Sequence, residues 1–144
     1  METMLIYHSS SFDVRYDQEQ GHLLLTCYSR LQSKEFREGL VSALTYAKES
    51  VAKRWLLNFQ RIGCMSEEEE TWLQCYLFPL IMSTLGTNNY MAVVLSEKCY
   101  EALLLEAGKY GLKSYNSFII MNTFCNTADA LAWLEKEKNA VVAG

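Results

Sequence analysis

Two nearly unbroken apolar runs, Arg54-Trp55-Leu56-Leu57-Asn58-Phe59 and Met91-Ala92-Val93-Val94-Leu95, constrain the fold of this chain more than any other feature. A strand with one wet face alternates apolar and polar residues. A short run without that alternation reads as a strand covered on both faces, and such strands are usually parallel. Parallel neighbours need a crossover of roughly a dozen residues or more, normally a helix. The chain between and around the two runs supplies helical patterns of suitable length, so the sequence points to an α/β architecture.

The remaining elements fit around that pair. Met4 to Tyr7 is a short apolar strand, Asp13 to Asp17 alternates as a half-buried strand does, and His22 to Tyr28 is a stronger strand. Gln18 to Gly21 forms the turn between the last two, giving an antiparallel hairpin. Phe36, Leu40, Ala43, Leu44 and Ala47 recur at helical spacing behind Ser33, the expected N-cap. Ser66-Glu67-Glu68-Glu69 is a capping box, in which the serine oxygen accepts from the Glu69 amide and the Glu69 carboxylate reaches back. Trp72, Cys75 and Tyr76 form the expected inward stripe of that helix, and Pro79 kinks or splits it. After the second buried run, Ser96 caps a helix with Tyr100, Leu103, Leu104 and Ala107 inward, ended by Gly108 and Gly111. Phe118 to Met121 is the last strand. Thr127 caps the last helix, with Leu131 and Leu134 inward and Ala140 to Gly144 fraying. The expected order is β-β-β-α-β-α-β-α-β-α, a mixed, mostly parallel sheet with about four helices.

With 144 residues the chain fits one domain, residues 1–144, with an ordered core from about 4 to 138. Half of its residues are hydrophobic, which excludes a disordered chain. A net charge of −4 gives no electrostatic reason to bind nucleic acid or an anionic membrane. No signal-peptide pattern is visible, and the longest apolar run, Tyr76 to Met82, is too short for a membrane span. The five cysteines, Cys27, Cys64, Cys75, Cys99 and Cys125, form no C-x-x-C pair. They read as small thiols in a reducing compartment, and a cytoplasmic location is expected.

Recognisable catalytic signatures are few. There is no phosphate-binding loop, no dinucleotide fingerprint after a strand and no nucleophile elbow. His8 and His22 lack metal-ligand spacing to the cysteines, so neither a metal nor a cofactor is expected. The glutamates at 67 to 70 point in different directions from one helical turn. They read as a helix start, not as an acid/base pair. Trp55, Phe59, Trp72, Tyr76, Phe78 and Phe124 are core candidates, of which some line a groove.

Several segments carry a resemblance. They are Glu35 to Leu40, Lys53 to Phe59, Ile62, Ser66 with its acidic turn, Trp72, Phe78-Pro79, Met91 to Glu97, and Ala130 to Leu134. In that order and spacing, from about residue 13 to 137, they resemble a family of small bacterial STAS-like proteins related to the anti-sigma-factor antagonists. The resemblance implies a non-catalytic regulatory domain that binds a protein partner, often a serine-kinase-type anti-sigma factor. It also implies a phospho-acceptor at the start of the second helix, which here is Ser66, or Glu67 if the loop aligns one residue later. The chain departs from the family pattern in having Asn58 where a strand aspartate is common, and Met65 in place of the aspartate before the serine. A phosphate on Ser66 would also meet like charge from the glutamates, which favours a plain N-cap.

Two functions follow as expectations. The first is a non-enzymatic interaction domain whose contact surface is the Gln60–Met65 loop, with Arg61, Gly63 and Met65, together with Ser66 and Glu67. The second is a small apolar ligand or lipid carrier, since the same fold class resembles the CRAL-TRIO lipid-binding domains and the Pro79-broken helix can frame an apolar cavity. A flat exposed surface there favours the first, and an ordered lipid or a closed apolar cavity the second. A homodimer through a strand edge or the Tyr76–Met82 surface is a further expectation.

Overall fold

The computed structural model describes residues 3–30, 32–62, 66–107, 113–115 and 118–143. Among these, one seven-stranded sheet runs in the order β1-β2-β3-β4-β5-β7-β6. Its strands are β1 (Thr3–His8), β2 (Phe12–Asp17), β3 (His22–Cys27), β4 (Arg54–Phe59), β5 (Asn89–Leu95), β6 (Lys113–Tyr115) and β7 (Ile119–Phe124). The helices are α1 (Ser33–Ser50), α2 (Glu67–Trp72), α3 (Phe78–Leu85), α4 (Glu97–Ala107) and α5 (Thr127–Ala143). The mixed α/β architecture is therefore as expected. One strand is additional to those the sequence pattern predicts. β6 is only three residues long, antiparallel to β7, and lies at the sheet edge. So short a strand leaves no periodic signal.

The two unbroken apolar runs are the central parallel strands. β4 lies between β3 and β5, in register from Arg54 opposite Tyr90 to Phe59 opposite Leu95. β5 in turn pairs parallel with β7. The hairpin β2–β3 is antiparallel, turning through Gly21 at φ +74°, where the Gly21 N–H donates to the Asp17 carbonyl at 2.7 Å.

Alternate residues of the central strands enter two separate cores. Leu23, Leu25, Trp55, Leu57, Phe59 and Met91 face α1 and the broken helix. Leu56, Tyr90, Ala92 and Val94 face Ala130 and Leu134 of α5. This explains the absence of alternation: each strand has a helical layer on both sides. Phe36, Leu40, Ala43, Leu44 and Ala47 are buried on α1 as their spacing indicates.

Four local expectations are corrected. Ser33 is not an N-cap: Gln32 holds that position without a side-chain bond, and Ser33 is the first helical residue. Its hydroxyl instead donates to Glu69 Oε1. The last helix is capped by Asn126, whose Oδ1 accepts from the Asp129 amide at 2.8 Å, and not by Thr127. That helix also continues past Ala140, to Ala143. Gly108 and Gly111, the expected stops of α4, lie outside the described residues. The cysteines divide: Cys27, Cys75 and Cys125 are free thiols, whereas Cys99 is disulfide-bonded, so the all-thiol reading fails there. Among the described residues, no helix is long and apolar enough to cross a membrane.

Candidate functional site

The segment around Pro79 decides the shape of the site. Proline has no N–H to give the carbonyl four residues back, and its ring crowds that carbonyl. Here the helix resolves the conflict by widening into a π turn over Leu73–Leu77, between α2 and α3. The wider turn changes which side chains point inward. Leu73, Leu77 and Ile81 are buried, while Cys75 and Tyr76 are exposed. The expected inward stripe of Trp72, Cys75 and Tyr76 is therefore wrong for its last two members. A regular 3.6-residue period does not hold across a π turn.

A cleft of about 400 Å³ opens between this broken helix and α4. Its floor comes from Leu57 and Phe59 of β4, Val93 and Leu95 of β5, and Met121 and Thr123 of β7. Apart from Met121, midway along β7, these residues lie in the carboxyl halves of three adjacent parallel strands, the end of an open α/β sheet where ligands bind. One wall is Glu70, Leu73, Gln74 and Phe78, and the other is Cys99, Ala102, Leu103 and Glu106. α4 leaves room because it meets the sheet through few residues: Cys99 is buried, Leu103 is half-buried and Leu105 is 89% exposed. The volume falls in the usual range of small-molecule sites, roughly 300–1,000 Å³.

None of the predicted contact residues that are described lines this cleft. Ser66 is the N-cap of α2, and its hydroxyl accepts from the Glu69 amide at 3.3 Å. Ser66, Glu67 and Arg61 are exposed, whereas Gly63 and Met65 lie outside the described residues. Only half of the capping box forms. The Glu69 carboxylate does not bond back to Ser66; it is buried and turns to the Ser33 hydroxyl and to Arg37, whose Nε lies 4.0 Å from Oε2. Arg37 also approaches Glu68 at 3.5 Å and lies 5.4 Å from the Trp72 ring centre. The burial of one of four consecutive glutamates is a tertiary choice, made because the start of α1 offers the Ser33 hydroxyl and the Arg37 charge there.

The aromatic candidates separate. Phe59 and Phe78 line the cleft. Trp55 is fully buried in the core. Trp72 and Tyr76 stack at 5.4 Å on the other side of the broken helix, against the outer face of α1. Phe124 packs on Trp133 of α5 at 5.9 Å, on the far side of the sheet. Nothing local in the sequence marks Leu73, Leu95, Met121 or Thr123 as site residues. The signal that bore on them was Pro79, which implied a broken helix over the sheet.

A second polar group lies on the face of the sheet away from α1. His8 Nδ1 is 2.5 Å from Asp13 Oδ1, and the Tyr28 hydroxyl donates to Asp13 Oδ2 at 2.7 Å. Burial pushes the Asp13 carboxyl up, but the bonds from His8 and Tyr28 and the charges of His8 and Arg15 outweigh it, so the carboxyl ends below its usual range. Tyr28 is raised in turn, mainly by its bond to that carboxylate. Burial alone pushes the Cys27 thiol well up, which makes it unreactive. No group of three or more His, Cys, Asp or Glu side chains able to hold a metal ion is found among the described residues. Compared with known proteins, the chain matches no family model, no curated protein and no solved structure.

Proposed function

We propose that this domain binds a small apolar molecule in the cleft between the broken helix and α4, without catalysing a reaction on it. The observation that carries this reading is a cavity of about 400 Å³ with a largely apolar lining, at the carboxyl ends of β4, β5 and β7. Apolar side chains left facing such a space gain from an occupant that removes them from water, at about 25 cal/mol for each Å² covered. The CRAL-TRIO-like carrier expectation rests on the same feature. The test is titration with the neutral fluorophore N-phenylnaphthylamine. Saturable one-to-one binding is expected, weakened about tenfold or more by Ala102→Phe, which fills the cleft from an exposed helix position. Binding unchanged in that variant, with the fold intact by circular dichroism, refutes the proposal.

One observation favours the STAS-like regulatory reading beside it. Glu70, Leu73 and Gln74 line the cleft, and they continue the helix whose exposed start carries Ser66 and Glu67. An occupant of the cleft therefore touches the helix that would contact a protein partner such as a serine-kinase-type anti-sigma factor. Under this reading Ser66→Glu changes capture of that partner and leaves the fluorophore titration unaltered.

A further inference from the structure

Among the described residues, the lining of the cleft carries charge of one sign only. Glu70 on α2 and Glu106 on α4 stand on opposite walls, and both are exposed, which places them at the mouth. No lysine, arginine or histidine is among the described lining residues. Below the mouth the floor is apolar except for Thr123, so an amphiphile lowers its free energy by putting its tail inward and its head between the two carboxylates.

Resting on the ligand reading above, we propose that the cleft selects amphiphiles with a cationic head group, such as a primary amine, over those with an anionic one. A head of negative charge meets repulsion from both walls, and entry head-first finds no basic group among the described lining residues to pair with. A head of positive charge is attracted by both walls, and the chain's net charge of −4 adds to the same preference. For charges several ångströms apart at a protein surface, the difference amounts to about tenfold in affinity between a matched amine and acid. This distinguishes the site from a fatty-acid carrier, which needs a cation where this one has glutamates.

The experiment displaces N-phenylnaphthylamine from the full chain with dodecylamine, dodecanol and dodecanoate, each below its micelle concentration, at neutral pH and low salt. The expected order of affinity is amine, alcohol, acid, with the amine about tenfold tighter than the acid. In Glu70→Gln/Glu106→Gln the three are expected to agree within about twofold, and high salt narrows the gap in the parent. If dodecanoate displaces as well as dodecylamine, or if the gap survives in the double variant, charge selection is wrong and the apolar site stands. If no compound displaces the fluorophore, or if displacement is the same in Ala102→Phe, the ligand reading itself fails and takes this inference with it.

Discussion

Gly39 sets two principles against each other, and its replacement by alanine measures which prevails. It lies inside α1, where alanine is favoured over glycine by about 1 kcal/mol from helix propensity. A Cβ at this position would lie 2.3 Å from Phe12 Cε2, 2.4 Å from Phe12 Cδ2 and 3.1 Å from Tyr7 Cδ1. Carbon atoms rest at about 3.5–4.0 Å, so the Phe12 ring must move by roughly 1 Å or more. It has no space to do so. Phe12 is fully buried, with ring centres of Tyr7 at 6.4 Å and Phe36 at 6.0 Å. Overpacking of this kind costs about 1–3 kcal/mol, and a clash this deep belongs at the upper end. After the propensity gain, Gly39→Ala is expected to destabilise by about 2 kcal/mol, which lowers the melting temperature by roughly 4–8 °C in a chain of this length. Urea and thermal unfolding read the change. A double-mutant cycle with Phe12→Leu isolates the cause, because removing ring atoms is expected to recover at least about 1 kcal/mol of the Gly39→Ala loss. A neutral or stabilising Gly39→Ala, or an additive cycle, would refute the close-approach argument.

Val51 ends α1 in the left-handed region at φ 57°, and its side chain is 69% exposed. Val51→Gly removes a backbone penalty of about 1–2 kcal/mol with little burial lost, so the urea midpoint is expected to rise. Ser66→Ala removes one cap bond and costs about 1 kcal/mol. Ser33→Ala is expected to cost more, up to about 3 kcal/mol, because it strips a donor from the buried Glu69 carboxylate; equal losses at the two serines count against that account. Asp13 has a folded pKa below that of an unfolded aspartate, about 3.9. Its stabilising contribution is therefore present above that pH and is lost as pH falls through the folded value. Unfolding measured from neutral pH down into the acid range is expected to show the gap between parent and Asp13→Asn closing below about pH 4; a gap independent of pH overturns the assignment.

What the sequence determined by itself is the layer plan. Arg54 to Phe59 and Met91 to Leu95 lack alternation because helices cover both faces of those strands, and that pattern is written locally. The face of α1, the hairpin turn at Gly21 and the Ser66 and Ser96 caps are equally local, each depending on residues a few positions apart. Pro79 signals that the second helix departs from a regular α-helix. Only the tertiary structure decided how: the π turn reassigns the inward positions to Leu73, Leu77 and Ile81, and no regular period marks that shift in advance. Tertiary structure also decided that Glu69 alone of four glutamates is buried, since the hydroxyl that donates to it belongs to Ser33 and the charge that faces it to Arg37, each more than thirty residues away in sequence. The cleft belongs to the same class. It is formed by side chains from three strands and two helical segments, and by the space α4 leaves unfilled. A cavity is a property of how elements fit, so no stretch of sequence contains it.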